Sequence, residues 1–228
     1  MHRPIIYADE QGRSYDFLTG FREALAGFGL SLADLFGSGD TVVSGLAASA
    51  SSGLTISVAA GRIYQQTTLD ATAYGTVGTD SRTIVQQGTA DAQTLTFVTS
   101  GMSSGQSQYA LVQATFKQVD AIPSDDPNSG ILQYYNADDP ANSLEGPSGS
   151  GTPQSTRREG VCTLAIKYGT AATTGSETAP SADSGYVPLY LIDLTYGQTA
   201  ITSALIVTHS LAPFLAGLLA SHHNGAAG

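Results

Sequence analysis

One serine lies in a context that could support nucleophilic catalysis. Residues 101–105 read GMSSG, a match to the G-x-S-x-G turn that exposes the nucleophile of α/β-hydrolases, and His209 follows as a candidate general base. That turn requires a strand before it and a helix after it, whereas residues 106–119 alternate as a strand does. We therefore interpret the motif as a β-hairpin turn and expect the chain not to be an enzyme. An esterase using Ser103 is the remote alternative.

Two further motifs suggest metal ligands but are incomplete. Residues 126–130, DPNSG, begin like a calcium-binding loop, but the glutamate and the flanking helices that complete such a loop do not follow. His222 and His223 are adjacent, so their side chains diverge, and no Cys, Asp or Glu lies beside them to complete a metal shell. We therefore predict no metal and no cofactor.

A long polar stretch, residues 123–156, contains four residues suited to carbohydrate binding. Tyr134 and Tyr135 could stack on sugar rings, and Asp138 and Asp139 could accept hydrogen bonds from sugar hydroxyls. A loop of this length in a compact domain is usually functional or mobile. We expect the stretch to be a surface excursion that the two tyrosines pin to the body.

The charge of the chain argues against one class of partner. Of 228 residues only 12% are charged, and 19 acidic against 9 basic side chains give a net charge of -10. Phosphate binding needs a basic stripe, which this sequence lacks, so we expect no nucleic-acid partner. No apolar run approaches the roughly 18 residues of a membrane span, and the N-terminal residues lack the apolar core of a signal peptide, so we expect neither membrane insertion nor secretion by that route.

The single cysteine, Cys162, rules out an intrachain disulfide. It alternates with Leu164, Ile166 and Tyr168 on one face of a predicted strand. A free thiol in such a position behaves as a small hydrophobic side chain, so we predict a buried structural cysteine.

Period-two patterns dominate from Thr41 onward and predict a mainly β body. Leu54, Ile56 and Val58 alternate with polar or small residues, and residues 186–196 are almost continuously apolar, as in a strand covered on both faces. Strands that follow one another without intervening helices favour an antiparallel sandwich or barrel. The body divides into a first β subdomain at 41–122, the polar loop at 123–156 and a second β portion at 157–208.

Helical patterns flank this body. Residues 1–40 form a predicted helical segment with apolar residues spaced 3, 4, 3, 4 and 3 apart, as in a coiled coil. We call these six residues the apolar stripe: Leu18, Phe21, Leu25, Phe28, Leu32 and Leu35. Because Gly20, Gly27 and Gly29 interrupt the pattern and residues 31–34 have the form of a capping box, we predict two helices, 15–28 and 31–36.

The last segment, 209–228, also has apolar residues at helical spacing, in a predicted helix from Leu211 to Leu219, and it ends in a glycine-rich run. Its interface candidates are Leu211, Phe214, Leu215 and Leu218. The apolar residues of both helical ends have two interpretations: they contact partners, or they pack on the chain's own β body.

Several stretches together resemble the N-terminal region of tail-fibre or receptor-binding proteins of tailed bacteriophages. They are TVVSGL (41–46), GLTISVAAGRIYQ (53–65), ILQYYNADDP (131–140), GP (146–147), RREGVC (157–162), DSGYVPLY (183–190) and TYGQTAIT (195–202). The resemblance implies a homotrimer in the virion tail, with 1–40 as the segment that attaches to the tail tip or baseplate. It also implies that the glycine-rich end of 209–228 is the start of a fibre shaft and that a distal fibre region contacts a bacterial cell-surface receptor.

Three functions follow from these patterns. The leading hypothesis is a virion structural protein, the tail-attachment domain of a host-recognition fibre. The alternative is a glycan-binding adhesion module that uses Tyr134, Tyr135, Asp138 and Asp139. The remote alternative is the Ser103 esterase.

Overall fold

The structure is a computed structural model that describes Ile5 and residues 11–37, 39–120, 132–145 and 154–215. It is mainly β, with 45% strand and 15% helix, and its large sheet curls into a half-barrel. The predicted β-rich class is therefore confirmed. The described residues contain one α-helix, at the N-terminal end, and the predicted C-terminal helix from Leu211 to Leu219 lies partly outside them.

The elements follow one another with few long connections. They are α1 (Ser14–Phe36), β1 (Val42–Gly45), β2 (Ala48–Ala50), β3 (Thr55–Val58), β4 (Gly61–Asp70), β5 (Asp80–Ala90), β6 (Gln93–Thr96), β7 (Gln106–Asp120), β8 (Gln133–Tyr134), β9 (Leu144–Glu145), β10 (Arg158–Tyr168), β11 (Ala172–Thr173), β12 (Val187–Thr195), a 3-10 turn (Ser203–Leu205) and β13 (Ile206–Thr208).

The large sheet has the strand order β1-β4-β5-β10-β7-β12-β13, and β11 pairs with β7 beside this path. Its pairings are antiparallel except that of β5 with β10, which is parallel and has the single register pair Val161↔Thr89. A smaller antiparallel sheet, β2-β3-β6, and the β8-β9 pair complete the pairing among the described residues. The predicted antiparallel pairing therefore holds apart from the β5–β10 contact.

One hydrophobic core lies inside the curl. β7 runs through its centre, hydrogen-bonded to β10 on one side and β12 on the other, and Val112 and Ala114 of β7 are fully buried. The core also contains Ile56 from the small sheet and the predicted buried thiol of Cys162. Residues from 41–122 and from 157–208 thus contribute to the same sheet and the same core.

The crossing of β5 over β10 depends on glycine. A Cβ on Gly160 would lie 2.2 Å from the carbonyl oxygen of Gln87, closer than any real contact allows. The two strands can therefore approach at this point only because Gly160 has no side chain.

The two edges of the curled sheet meet at one point. The Val43 amide donates to the Pro213 carbonyl at 2.9 Å, and Val43 forms an isolated bridge with Phe214. Phe214 also packs its ring on Tyr190 of β12, with 5.6 Å between ring centroids. This contact brings the segment after β13 onto the free edge of β1.

The prediction of two N-terminal helices is wrong, because α1 runs unbroken from Ser14 to Phe36. A Cβ on Gly29 would lie 2.6 Å from the Val85 carbonyl oxygen, so this glycine lets α1 lie directly on β5 and does not break the helix. The predicted cap residue Ser31 instead donates its hydroxyl to the Gly27 carbonyl one turn earlier. The helix ends at Gly37, whose φ of 93° leaves the helical region.

Two other expectations fall partly or wholly outside the described residues. Leu211 to Phe214 form a turn and a bridge rather than the start of the predicted C-terminal helix, and Leu218 lies outside the described residues. The DPNSG motif and His222-His223 also lie outside them.

Candidate interaction site

Helix α1 turns its apolar stripe away from the body. Phe21, Leu25, Phe28 and Leu35 are between 43% and 74% exposed, and Leu18 and Leu32 at the flank are half-buried. The four exposed residues therefore leave about half or more of their surface uncovered by the chain's own sheet. Phe17, next to the stripe, is exposed as well.

The buried residues on the side of α1 that faces the body are either charged or have small side chains. Its buried residues are Arg22, Glu23, Ala26 and Gly29. In a surface helix of a globular protein the apolar side normally faces the core and the charged side faces water. Helix α1 shows the opposite arrangement: charged residues face the β body and apolar residues face solvent.

The charged side of the helix contacts the body through a network of ion pairs. Arg22 Nε lies 2.8 Å from Asp70 Oδ2, and Asp70 Oδ1 accepts a 2.9 Å hydrogen bond from Arg158. Arg158 also binds Asp120 through two nitrogens, at 2.6 and 2.9 Å. These hydrogen bonds hold the pKa of the Asp120 carboxyl below its usual value.

A second branch of the network fixes Glu23. Arg82 of β5 donates to both carboxylate oxygens of Glu23, at 3.2 and 2.6 Å, and to Asp80. The hydrogen bonds from Arg82 lower the pKa of Asp80, which burial alone would raise. The Arg22 guanidinium also donates to the Gly78 carbonyl in the loop before β5. Both charges on the inner side of α1 are thus paired with the body.

A groove of about 390 Å³ runs between α1 and the sheet. Phe21, Leu25 and Phe28 of the stripe form one wall, and polar side chains form the floor. The floor is internally satisfied: Gln86 donates to the Thr68 carbonyl at 2.7 Å and Gln118 donates to the Leu69 carbonyl at 3.0 Å, while Arg158 is held as described above. The surface that the groove offers to another molecule is therefore chiefly its apolar wall.

The C-terminal interface candidates are arranged differently. Leu211 is 75% exposed, whereas Phe214 and Leu215 are partly buried and line a second depression, beside Val43 and Tyr190. Phe214 therefore packs on the chain's own body, which is one of the two interpretations of its sequence.

The four candidate carbohydrate contacts lie in the polar stretch around β8 and β9. Tyr134 and Tyr135 are both exposed, so they do not pin the stretch to the body as we expected. The Asn136 side-chain oxygen accepts hydrogen bonds from the amides of Asp138 and Asp139. Asp139 in turn accepts from the Asn142 side chain at 2.6 Å, so its carboxylate is partly engaged within the turn.

Ser103 lies in the turn between β6 and β7, which no helix follows. Its amide donates to the Gln106 side chain at 2.7 Å, and the Ser103 carbonyl accepts from the Gln106 amide. His209 Nδ1 accepts from the Leu211 amide at 3.1 Å. No hydrogen bond joins Ser103 to His209 among the described residues. GMSSG therefore forms a turn, as predicted, but the turn does not close a hairpin, because β6 pairs with β3 in the small sheet and β7 pairs with β10 and β12 in the large sheet.

Within the described ranges, no group of three His, Cys, Asp or Glu side chains is placed to hold a metal ion. Helix α1, the one helix of this part of the chain, lacks the apolar length needed to cross a membrane.

Comparisons with protein-family models, with curated proteins and with solved structures find no match to this chain. A function is instead inferred from the exposed apolar stripe of α1.

Sequence patterns did not reveal the ion-pair network that orients this surface. Arg22 and Glu23 stand between two stripe residues in a chain that is only 12% charged. Two adjacent charged residues inside an apolar pattern could have indicated an ion-pair site, because charges that become buried must be paired. Their partners Asp70 and Arg82 lie far along the sequence and could not be assigned without the fold.

Proposed function

We propose that this chain is a virion structural protein, the N-terminal domain that anchors a host-recognition fibre to the tail tip or baseplate of a tailed bacteriophage. In this function it acts as a homotrimer, and the distal fibre contacts the bacterial cell-surface receptor. The observation that carries the proposal is the inverted helix α1, whose apolar stripe faces outward while Arg22 and Glu23 are buried against the body. The kind of assembly, a phage tail fibre, is inferred from the sequence resemblance.

The size of the exposed apolar surface supports a role in assembly. With about 200 Å² for a complete side chain, the stripe and Phe17 expose roughly 600 Å² together. This is at the upper end of the largest apolar patches on monomeric proteins, which are often functional. At about 25 cal/mol per Å², covering it contributes on the order of 15 kcal/mol per chain, before the entropic cost of association.

The attachment of α1 to the body also supports this role. Arg22 and Glu23 fix the helix to β4 and β5 through ion pairs, and Gly29 allows close contact with β5. A rigidly held helix loses little conformational entropy when a partner covers it. Its stripe is thus already positioned for binding.

The proposal is tested on purified phage particles by mass spectrometry and by immunogold labelling with antibodies against the β body. The expected result is that the chain co-purifies with particles through a density gradient, in a multiple of three copies, and that gold labels the tail tip or baseplate. Absence of the chain from intact particles would overturn the proposal.

A glycan-binding role is the second candidate, because Tyr134 and Tyr135 are both exposed. The test is a glycan array followed by titration with host lipopolysaccharide, comparing wild type with Tyr134→Ala and Tyr135→Ala. Tyr196→Ala is the matched control, since Tyr196 is similarly exposed in the turn after β12. Binding that survives both tyrosine substitutions would exclude this candidate.

A further inference from the structure

We infer that the partner that covers the apolar stripe is the chain itself: three copies pack their α1 helices in parallel around a shared axis. The inference rests on the proposed homotrimer and specifies its contact surface. A tail-tip or baseplate protein would then bind elsewhere on the trimer.

The stripe is self-complementary. In heptad notation Leu18, Leu25 and Leu32 take position a, and Phe21, Phe28 and Leu35 take position d. Three-fold symmetry makes the helices parallel, so each stripe residue meets its own copies in a layer. Every layer is then apolar, because the six stripe positions are all Leu or Phe.

The flanking heptad positions fit this arrangement. The g positions beside the stripe are Phe17, Ala24 and Ser31, none of which is charged. The central e positions are Arg22 and Gly29, which face the chain's own body. Each helix therefore presents one side to the axis and the adjacent side to its own sheet.

The pairing of Arg22 and Glu23 removes an obstacle to self-association. Each chain has a net charge of -10, and like charges near an axis would repel. Of the four charged residues of α1, Arg22 and Glu23 are buried in ion pairs, and Asp16 and Asp34 lie outside the a, d and g positions. The contact surface is thus neutral within a strongly acidic protein.

The exposed area of the stripe and Phe17 is smaller than a standard interface, which favours an arrangement in which a neighbouring copy also covers the groove. A standard interface buries about 800 Å² on each partner, more than the roughly 600 Å² that the stripe and Phe17 expose. The groove adjoins the stripe and shares Phe21, Leu25 and Phe28 with it. Because its polar floor is internally satisfied, apolar side chains of a neighbouring copy suit it better than a polar ligand.

Two leucines of α1 provide a matched test. Leu25 belongs to the stripe and Leu30 does not, yet they are 43% and 50% exposed. We compare wild type, Leu25→Asp and Leu30→Asp by sedimentation equilibrium over a wide range of protein concentration. Wild type and Leu30→Asp are expected to be trimers, and Leu25→Asp is expected to dissociate at least about 100-fold more readily, because three unpaired carboxylates would meet at the axis.

Cysteine cross-linking tests the direction of the helices, with buried Cys162 as an unreactive background. Single variants Leu18→Cys, Leu25→Cys and Leu32→Cys are oxidised at low concentration and separated without reductant. A parallel arrangement predicts cross-linked pairs for all three variants. Cross-linking of Leu25→Cys alone would indicate an antiparallel arrangement, and Leu30→Cys is the negative control.

The outcomes separate this inference from the proposed function. A wild-type chain that stays monomeric at high concentration, or equal association of the Leu25→Asp and Leu30→Asp variants, overturns the inference. The function would still stand if the chain is found on phage particles. Trimers of a chain that is absent from particles would support the inferred contact and overturn the tail-fibre function.

Discussion

Arg22 of α1 and Asp70 at the end of β4 form an ion pair with 2.8 Å between Nε and Oδ2, and both side chains are more than nine-tenths buried. Asp70 binds Arg158 of β10 with its other oxygen. One carboxylate therefore joins the helix, the β4–β5 hairpin and the first residue of β10. The orientation of the apolar stripe depends on this junction.

Replacing Arg158 is expected to destabilise the fold strongly. Arg158→Ala leaves Asp70 with one cation and Asp120 with none, and loss of a buried partner costs about 3 kcal/mol. Arg157→Ala is the neighbouring control, since its pair with Glu159 is exposed and is worth less than about 1 kcal/mol. Urea denaturation at a fixed protein concentration measures both. Equal losses would contradict the central role of Arg158.

Gly29→Ala is expected to destabilise the protein although alanine is the better helix former. The new methyl group would meet the Val85 carbonyl oxygen at 2.6 Å and Ile84 at 2.8 Å, which forces α1 away from β5. Overpacking costs about 1 to 3 kcal/mol, against a gain in helix propensity of about 1 kcal/mol. Thermal unfolding measures the net loss. Gly78→Ala has open space around its Cβ and is expected to be nearly neutral.

Asp193 is expected to make the stability of the protein depend on pH. Its Oδ1 is buried without a hydrogen-bond partner in the described structure, and burial, followed by the nearby charge of Glu177, raises the pKa of its carboxyl. A raised acid pKa favours the fold at low pH, and this contribution is lost as the pH rises through the folded value.

Asp193→Asn removes the buried charge that is present at neutral pH. At pH 7 the variant is expected to unfold at a higher urea concentration than wild type, and the difference is expected to shrink toward pH 4. A difference that is constant with pH would show that ionisation of Asp193 is not its cause.

Cys162 is expected to be chemically inert in the folded protein. Burial raises the pKa of its thiol to about 11, and its side chain is 2% exposed, so the reactive thiolate is both rare and shielded. Iodoacetamide at pH 8 is expected to leave the native chain unmodified and to alkylate it fully in concentrated urea. Rapid native alkylation would show that β10 opens readily.

The strands were predictable because their patterns are local. Ile56 and Val58 alternate with Thr55 and Ser57, and this alternation places one side of β3 in the core. The parallel contact of β5 with β10 was not predictable, because it depends on Gly160 meeting a strand about 70 residues earlier in the sequence. Sequence periodicity reports which face of a strand is buried but not which distant strand lies beside it.

The stripe was predictable from its spacing, but its orientation was not. The same 3-4 pattern fits a helix that packs on its own body and a helix that packs on a partner. The choice depends on Asp70 and Arg82, whose positions near α1 arise from the β4–β5 hairpin. Gly29 was misinterpreted for a related reason: its low helix propensity is a local property, whereas its role is a close tertiary contact.

The hydrogen bond from the Val43 amide to the Pro213 carbonyl joins the two ends of the β body. It places the two ends of the β body side by side instead of at opposite poles. Tension applied between α1 and the segment after Phe214 would act first on this isolated bridge. The long β7–β10 pairing, from Arg158↔Asp120 to Tyr168↔Ala110, lies in the interior of the large sheet. Under such tension this bridge is expected to open before the β7–β10 pairing.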